Sequence, residues 1–317
     1  GGQVLYDVSS SYYEGHTCPL MQFGHNRDGK RDLPIVVYGV LTDAEGRPVA
    51  VAVYPGNTAD PSTVPDQVET LKGRFGLERV VLVGDRGMLT QTQIDTLRAY
   101  PGLGWISALR NEKLRQLAEE GVLQLSLFDV RNLAEIQSPS FPDERLVACF
   151  NPLLAQERRR KRGELLAATE AALTKIQREA QRRTKTPLRA EEISQKVGRV
   201  ITRHKMGKHF DLTIADGQFS FARRSEAIRQ EADLDGLYVI RTSEPQAQLS
   251  PAQAVRSYKG LSQVERAFRT LKGMDLRIRP IYHRTETRVR AHIFLCLLAY
   301  YVEWHLRRAW ASLLFDD

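Results

Sequence analysis

The sequence predicts an α/β protein: a mixed sheet with flanking helices, interrupted by an α+β insertion. Three observations predict it. Three β-rich runs precede residue 55, an all-apolar run at 80–83 lies between two helical patterns, and a long charged helical block separates these from two C-terminal helices. At 317 residues the chain can bury a sizeable core in one large domain or two smaller ones.

Val4 to Ser10 alternates as a strand, with Val4, Tyr6 and Val8 on one face and Leu5, Asp7 and Ser9 on the other. An Asp inside a strand is disfavoured, so Asp7 is either an edge residue in water or a functional carboxylate. Residues 15–34 are polar and rich in turn formers. Ile35–Leu41 and Val49–Tyr54, joined by an Asp/Gly connector, predict a hairpin. Asp60 and Pro61 then read as the N-cap and first residue of a helix, with Val64, Val68, Leu71 and Phe75 at helical spacing and Gly76 ending it.

Arg79 to Gly87 supplies the next strand, four apolar residues ending in Gly84-Asp85. In open α/β sheets ligands bind at the carboxyl ends of strands. The alternative role for Asp85 is to cap the following helix, but Thr90 and Gln93 already match a capping box there. A helix over Gln91–Tyr100 and a strand over Gly104–Leu109 follow. Three strands, helix, strand, helix, strand is the order of an RNase H-like, retroviral-integrase-like fold.

Residues 111–250 interrupt that order and read as an insertion, dividing the chain into 1–110, 111–250 and 251–317. Leu146–Phe150 reads as a strand. Leu153–Arg183 reads as a long helix with Leu166, Leu173 and Ala180 at heptad spacing, and Leu188–Arg203 as a second helix. Asp216-Gly217 between two β-rich runs predicts a hairpin, and Leu237–Ile240 adds a strand. The run Arg158–Arg162 is either a solvated helix face or a phosphate contact.

Ser250 to Gly273 is expected to be one helix carrying Tyr258, Glu265 and Lys272 at seven-residue intervals. That spacing puts them on one stripe, each about 10 Å from the next, beside an apolar stripe of Leu261, Val264, Phe268 and Leu271. Two structural roles compete for Glu265: a capping box with Ser262, with Gly260 just before it as the alternative point of a helix restart, and an i,i+4 pair with Arg269. The last helix, from Arg288 to about Leu314, holds the apolar run Ile293–Val302 and two tryptophans, Trp304 and Trp310, expected in the core. The run is too short to span a bilayer.

The net charge of +8 and a pI near 9.4 make a polyanion the first partner to consider. Cys18, Cys149 and Cys296 form no CxxC pair, which argues against a thiolate zinc site or a disulfide framework and fits a reducing cytosol. There is no P-loop or Rossmann fingerprint. The start at Gly1-Gly2, without an initiator Met or signal peptide, reads as a fragment.

An Asp in a first strand, an Asp ending a later strand and a Glu on a helix beyond an insertion resemble the DDE transposases of bacterial insertion sequences. Their helix signature is Y-x2-R-x3-E-x6-K; Tyr258, Glu265 and Lys272 fall at its offsets, with Leu261 in place of the Arg. Gly56-Asn57 with Asp60, Gly84-Asp85-Arg86-Gly87 and Arg279-Pro280-Ile281-Tyr282-His283 add to the resemblance. It implies a metal-binding catalytic triad of Asp7, Asp85 and Glu265, with Tyr258 and Lys272 on DNA phosphates and Arg86 or Arg269 replacing the missing Arg. It further implies Mg2+, with Mn2+ able to substitute, and double-stranded DNA, both transposon ends and target, as partner. A homodimer on paired ends, an upstream DNA-recognition domain and a cytoplasmic, nucleoid-associated location also follow from it. The expected function is two-metal cleavage of DNA at transposon ends and transfer of the 3′-OH to target. The alternatives are a catalytically inactive DNA-binding scaffold and a plain RNase H-like nuclease.

Overall fold

A computed structural model describes residues 2–123, 128–129 and 132–313. The chain opens with three antiparallel strands, β1 (Gly2–Tyr12), β2 (Ile35–Asp43) and β3 (Pro48–Pro55). Asp43 closes the β2–β3 turn by accepting the backbone N–H groups of Glu45 and Arg47, and Gly46 takes the left-handed backbone that the turn requires. β4 (Val80–Val83) and β5 (Leu103–Ala108) then run parallel to β1. β6 (Leu133–Ile136), β7 (Arg145–Phe150) and β10 (Leu237–Thr242) extend the sheet to eight strands, in the order β3-β2-β1-β4-β5-β10-β7-β6. The first five strands have the RNase H-like arrangement that the order of elements predicts.

The alternation read in β1 is observed. Val4, Tyr6 and Val8 join a core with Val64 and Val68 of α1 (Val64–Glu69) and Ile94 and Leu97 of α2 (Gln91–Arg98). The odd-numbered side chains point the other way, toward α7 (Pro251–Lys259) and α8 (Leu261–Leu271). Gln3 accepts from Ser257 at 2.7 Å, and Tyr38 of β2 meets Phe268 edge-on with ring centroids 5.8 Å apart. Asp7 is therefore on the α8 side of the sheet.

Several local expectations change. Asp60 does not cap a helix; the chain enters α1 through a 3-10 turn over Asp60–Thr63, and the Asp60 carboxylate pairs with Arg27. Ser250 to Gly273 is not one helix: it breaks at Gly260 into α7 and α8. The capping box forms at Ser250 and Gln253, not at Ser262 and Glu265. Trp310 is 54 % exposed, and α9 (Glu286–Ala309) buries Val289, Ile293, Cys296, Leu297 and Tyr300 while leaving Phe294, Leu295 and Val302 in solvent. Its run is apolar on both sides, so composition gave no sign of which side would be covered. The expected end at Leu314 lies outside the described residues.

Within residues 111–250, α3 (Asn111–Glu119) precedes β6, and residues 149–238 form a second compact unit together with Asn132. Its core joins Leu166, Leu173 and Ala180 of α4 (Pro152–Arg182) to Ile193 and Val197 of α5 (Ala190–His204). Phe210 and Phe219, from the hairpin of β8 (Phe210–Ala215) and β9 (Gln218–Arg223), complete it. The heptad residues thus face a local core rather than a coiled-coil partner. Asp216-Gly217 makes the predicted two-residue turn, and α6 (Ser225–Ala232) follows.

Candidate active site

β1 and β4 are neighbouring parallel strands, with Leu5 opposite Val83. Asp7 lies two residues beyond Leu5, and Asp85 two beyond Val83. Neighbouring strands run about 4.8 Å apart, so the two aspartates sit at one level, Asp85 just past the carboxyl end of β4 and Asp7 midway along β1. α8 packs over β1 on this side, carrying Glu265, and α7 carries Tyr258.

Electrostatics places these groups in one neighbourhood. Burial raises the Asp7 carboxyl to about 7; the backbone N–H of Val8, 2.8 Å from Oδ1, opposes the rise, while Asp85 and Asp60 add to it and Arg27 counters them. Burial likewise pushes the Tyr258 phenol up to about 12, helped by the negative charges of Asp85, Glu265 and Asp7 and opposed by Arg86. One half-buried phenol thus senses all three acids and the arginine.

The three carboxylates differ in what they are free to do. Asp85 is exposed, yet its Oδ1 accepts the N–H groups of Gly87 at 2.9 Å and Met88 at 2.6 Å. The turn-closing role for Asp85 is therefore real. Thr90 gives α2 no side-chain cap to its backbone. Oδ2 of Asp85 keeps no hydrogen-bond partner among the described residues. Glu265 is exposed and, among the described residues, makes no ion pair with Arg269 or any other group.

Lys272 stands apart from the acids. Its Nζ lies 2.8 Å from Asp28 Oδ1, with the lysine side chain 12 % exposed and the aspartate 1 %. Arg279 shares the same oxygen, and Tyr12 N–H donates to the other at 3.2 Å. Where a phosphate contact is expected, Lys272 holds an internal carboxylate. Arg86 is exposed, with one NH1 contact to Asn111 at 3.3 Å, and Arg269 is exposed without a side-chain partner among the described residues. Sequence reasoning gave no role to Arg27 and Asp28 and read Asp60 as a helix cap. Arg27 and Asp28 sit in a polar loop with no periodicity, and Asp60 carried a stronger capping signal.

The donor set fits a hard divalent cation: three carboxylates and no thiolate or imidazole. Among the described residues no three His, Cys, Asp or Glu side chains are close enough to enclose one ion. A closed cage is not required, because Mg2+ keeps several waters and needs only one or two carboxylates beside a substrate phosphate.

One aspartate midway along β1 and another just past the end of the parallel neighbour β4, with a glutamate-bearing helix packed on the same side, define an RNase H-like α/β domain with an acidic site. The family model described as the transposase DDE domain matches residues 21–302, a span that includes Asp85 and Glu265 and begins after Asp7. The chain belongs to the transposase DDE domain family. No curated protein matches it. Among solved structures it is similar to the piggyBac transposase in a cryo-EM synaptic complex with hairpin DNA, at 10% identity and a TM-score of 0.48. That likeness covers 96% of this chain and 47% of the other, so the chain spans about half the length of that neighbour. Among the described residues no helix is long and apolar enough to cross a membrane.

Proposed function

We propose that this chain is the catalytic domain of a DNA transposase, cleaving phosphodiester bonds at transposon ends and joining the freed 3′-OH to target DNA. The observation that supports the reading is the β1–β4 register, in which Leu5 lies opposite Val83, each two residues before its aspartate, on the side of the sheet where α8 carries Glu265. These three would hold Mg2+, with Mn2+ able to substitute. A bound divalent pair supplies charge stabilisation at the attacking and leaving oxygens.

The chain's own groups prepare the site. Asp7, half-protonated near neutral pH without metal, gives up that proton when it becomes a ligand. Asp85 is held in place through Oδ1 and leaves Oδ2 for a metal. Tyr258, Arg86 and Arg269 are proposed to contact the DNA backbone; Lys272 acts through Asp28, fixing the loop that carries Arg27. In cleavage a water oxygen attacks phosphorus, the P–O3′ bond breaks and the departing oxygen takes a proton. In strand transfer that 3′-OH attacks a target phosphorus, whose own P–O3′ bond breaks. Double-stranded DNA is the partner, with a homodimer on paired ends.

The test is metal-dependent nicking of duplexes carrying the element's own ends. Asp7→Asn, Asp85→Asn and Glu265→Gln should each lower the rate by about 100-fold or more while leaving DNA binding in place. Wild-type rates in all three variants would refute the assignment. Joining of a pre-cut 3′-OH end to target separates a transposase from a plain nuclease.

A further inference from the structure

The basic run at 158–162 draws the eye in the sequence, but its charge is largely consumed within the fold. Arg162 is buried in a two-point pair with Asp235, and Arg160 and Lys161 pair with Glu157, Arg160 also with Glu164. Further along α4, Glu170 takes Arg223. Arg158 reaches only the Leu234 carbonyl and Arg159 has no acid partner among the described residues, but the other three cations of the run are balanced.

The C-terminal half of the helix is not balanced. Lys175, Arg178 and Arg182 recur at helical spacing on α4, Arg183 follows, and Arg199 and Arg203 stand one turn apart on α5. All six are exposed, and among the described residues none has an acid within ion-pair distance. The one carboxylate among them, Glu179, bridges the two helices to Lys196, and its pKa is held low by Lys196 first and by Arg183 and Arg182 as well. Like charges one turn apart destabilise a helix. Favourable interaction with the helix dipole accounts for the last-turn residues Arg182 and Arg203, but not for Lys175, Arg178 and Arg199. Residues 149–238 carry 19 Lys and Arg against 12 Asp and Glu, which is +7 of the chain's +8. The remaining residues, which hold the acidic site, are nearly neutral.

Gly198 is a second observation on the same helix. It sits in mid-α5, where glycine costs about 1 kcal/mol relative to alanine, and a Cβ there would meet nothing within 4 Å. No internal packing explains it. A side chain missing beside Arg199 and Arg203 lets an extended partner approach the helix backbone.

We infer that the exposed α4–α5 face around the Glu179–Lys196 bridge is a docking surface for the phosphate backbone of duplex DNA, distinct from the acidic site. The inference rests on DNA being the partner in the proposed function. It assigns backbone affinity to residues 149–238 and phosphoryl transfer to the Asp7–Asp85–Glu265 site.

The experiment is fluorescence anisotropy of the whole chain with a random-sequence 30-bp duplex, about three helical turns, across a NaCl series. A variant with Lys175, Arg178, Arg182, Arg199 and Arg203 all changed to Gln should bind at least tenfold more weakly at 100 mM salt. Its slope of log affinity against log salt should be shallower by about 4 to 5, since each phosphate contact contributes about 0.9. A control with Arg158, Arg160 and Lys161 changed to Gln should stay within threefold of wild type. Equal losses in both variants, or wild-type binding by the first, would overturn the surface. Should the five-fold variant misfold by circular dichroism, Arg199→Gln with Arg203→Gln is read instead, with a slope change of about 2. A wild-type chain that binds no duplex would refute DNA as the partner, and with it the functional reading itself.

Discussion

Asp7 is the residue on which stability and chemistry meet. Its carboxyl titrates near 7 in the folded chain, chiefly through burial, against an ordinary value of 3.8. The folded state therefore holds the proton more tightly than the unfolded state does. Its contribution is unfavourable, growing as pH rises from about 4 to about 7 and constant above that. Metal-free Asp7→Asn, which cannot ionise, should be more stable than wild type at pH 8 by about 2–4 kcal/mol, with little difference at pH 4. Thermal melts at the two pH values, with and without Mg2+, check this; Mg2+ should narrow the gap by stabilising wild type alone. Glu265 makes the opposite case. It is exposed and unpaired, so Glu265→Gln should change stability by no more than about 0.5 kcal/mol while abolishing nicking. Asp28 is purely internal. Asp28→Ala leaves the buried Lys272 ammonium without its partner and should cost about 3 kcal/mol in a denaturant melt.

Among the elements, legibility followed periodicity. β1 to β5 and the β8–β9 hairpin were readable because alternation and Asp/Gly turns are local signals that the final fold obeys. Asp7, Asp85 and Glu265 could be singled out, but the level of Asp7 with Asp85 could not: it depends on the β1–β4 register, a non-local pairing. The break at Gly260 was only half legible, because its backbone remains in the helical region and the stripe continues across it. The joining of β6, β7 and β10 to the large sheet was hidden, since short strands inside an insertion carry no sign of which sheet they extend. Helix capping misled at Asp60 and Thr90 because the tertiary structure offers Asp60 an arginine and gives the turn before α2 to Asp85. At α4 the cap is real: Asn151 accepts the N–H of Leu154 at 3.1 Å. Asn151→Ala should therefore destabilise the chain by about 1 kcal/mol. Gly56 marks a close backbone approach, where a Cβ would fall about 2.1 Å from the carbonyl oxygen of Ile35. Gly56→Ala should shift the loop that carries Arg27 and weaken nicking more than it weakens DNA binding.

For the molecule as a whole, charge and chemistry separate. The residues that hold the acids are close to neutral, and the surplus lies on residues 149–238. A cationic total therefore says little about the acidic site, and pairing within α4 shows that a dense basic run is a poor guide to where free charge lies. The account depends on Asp7 and Asp85 serving one divalent site with Glu265 beside them. The most direct measurement is anomalous diffraction from crystals of the chain soaked in Mn2+. The account predicts an anomalous peak within about 2.0–2.3 Å of carboxylate oxygens from Asp7 and Asp85, lost in Asp7→Asn. Manganese bound only elsewhere, or a peak that survives loss of both aspartates, would contradict it.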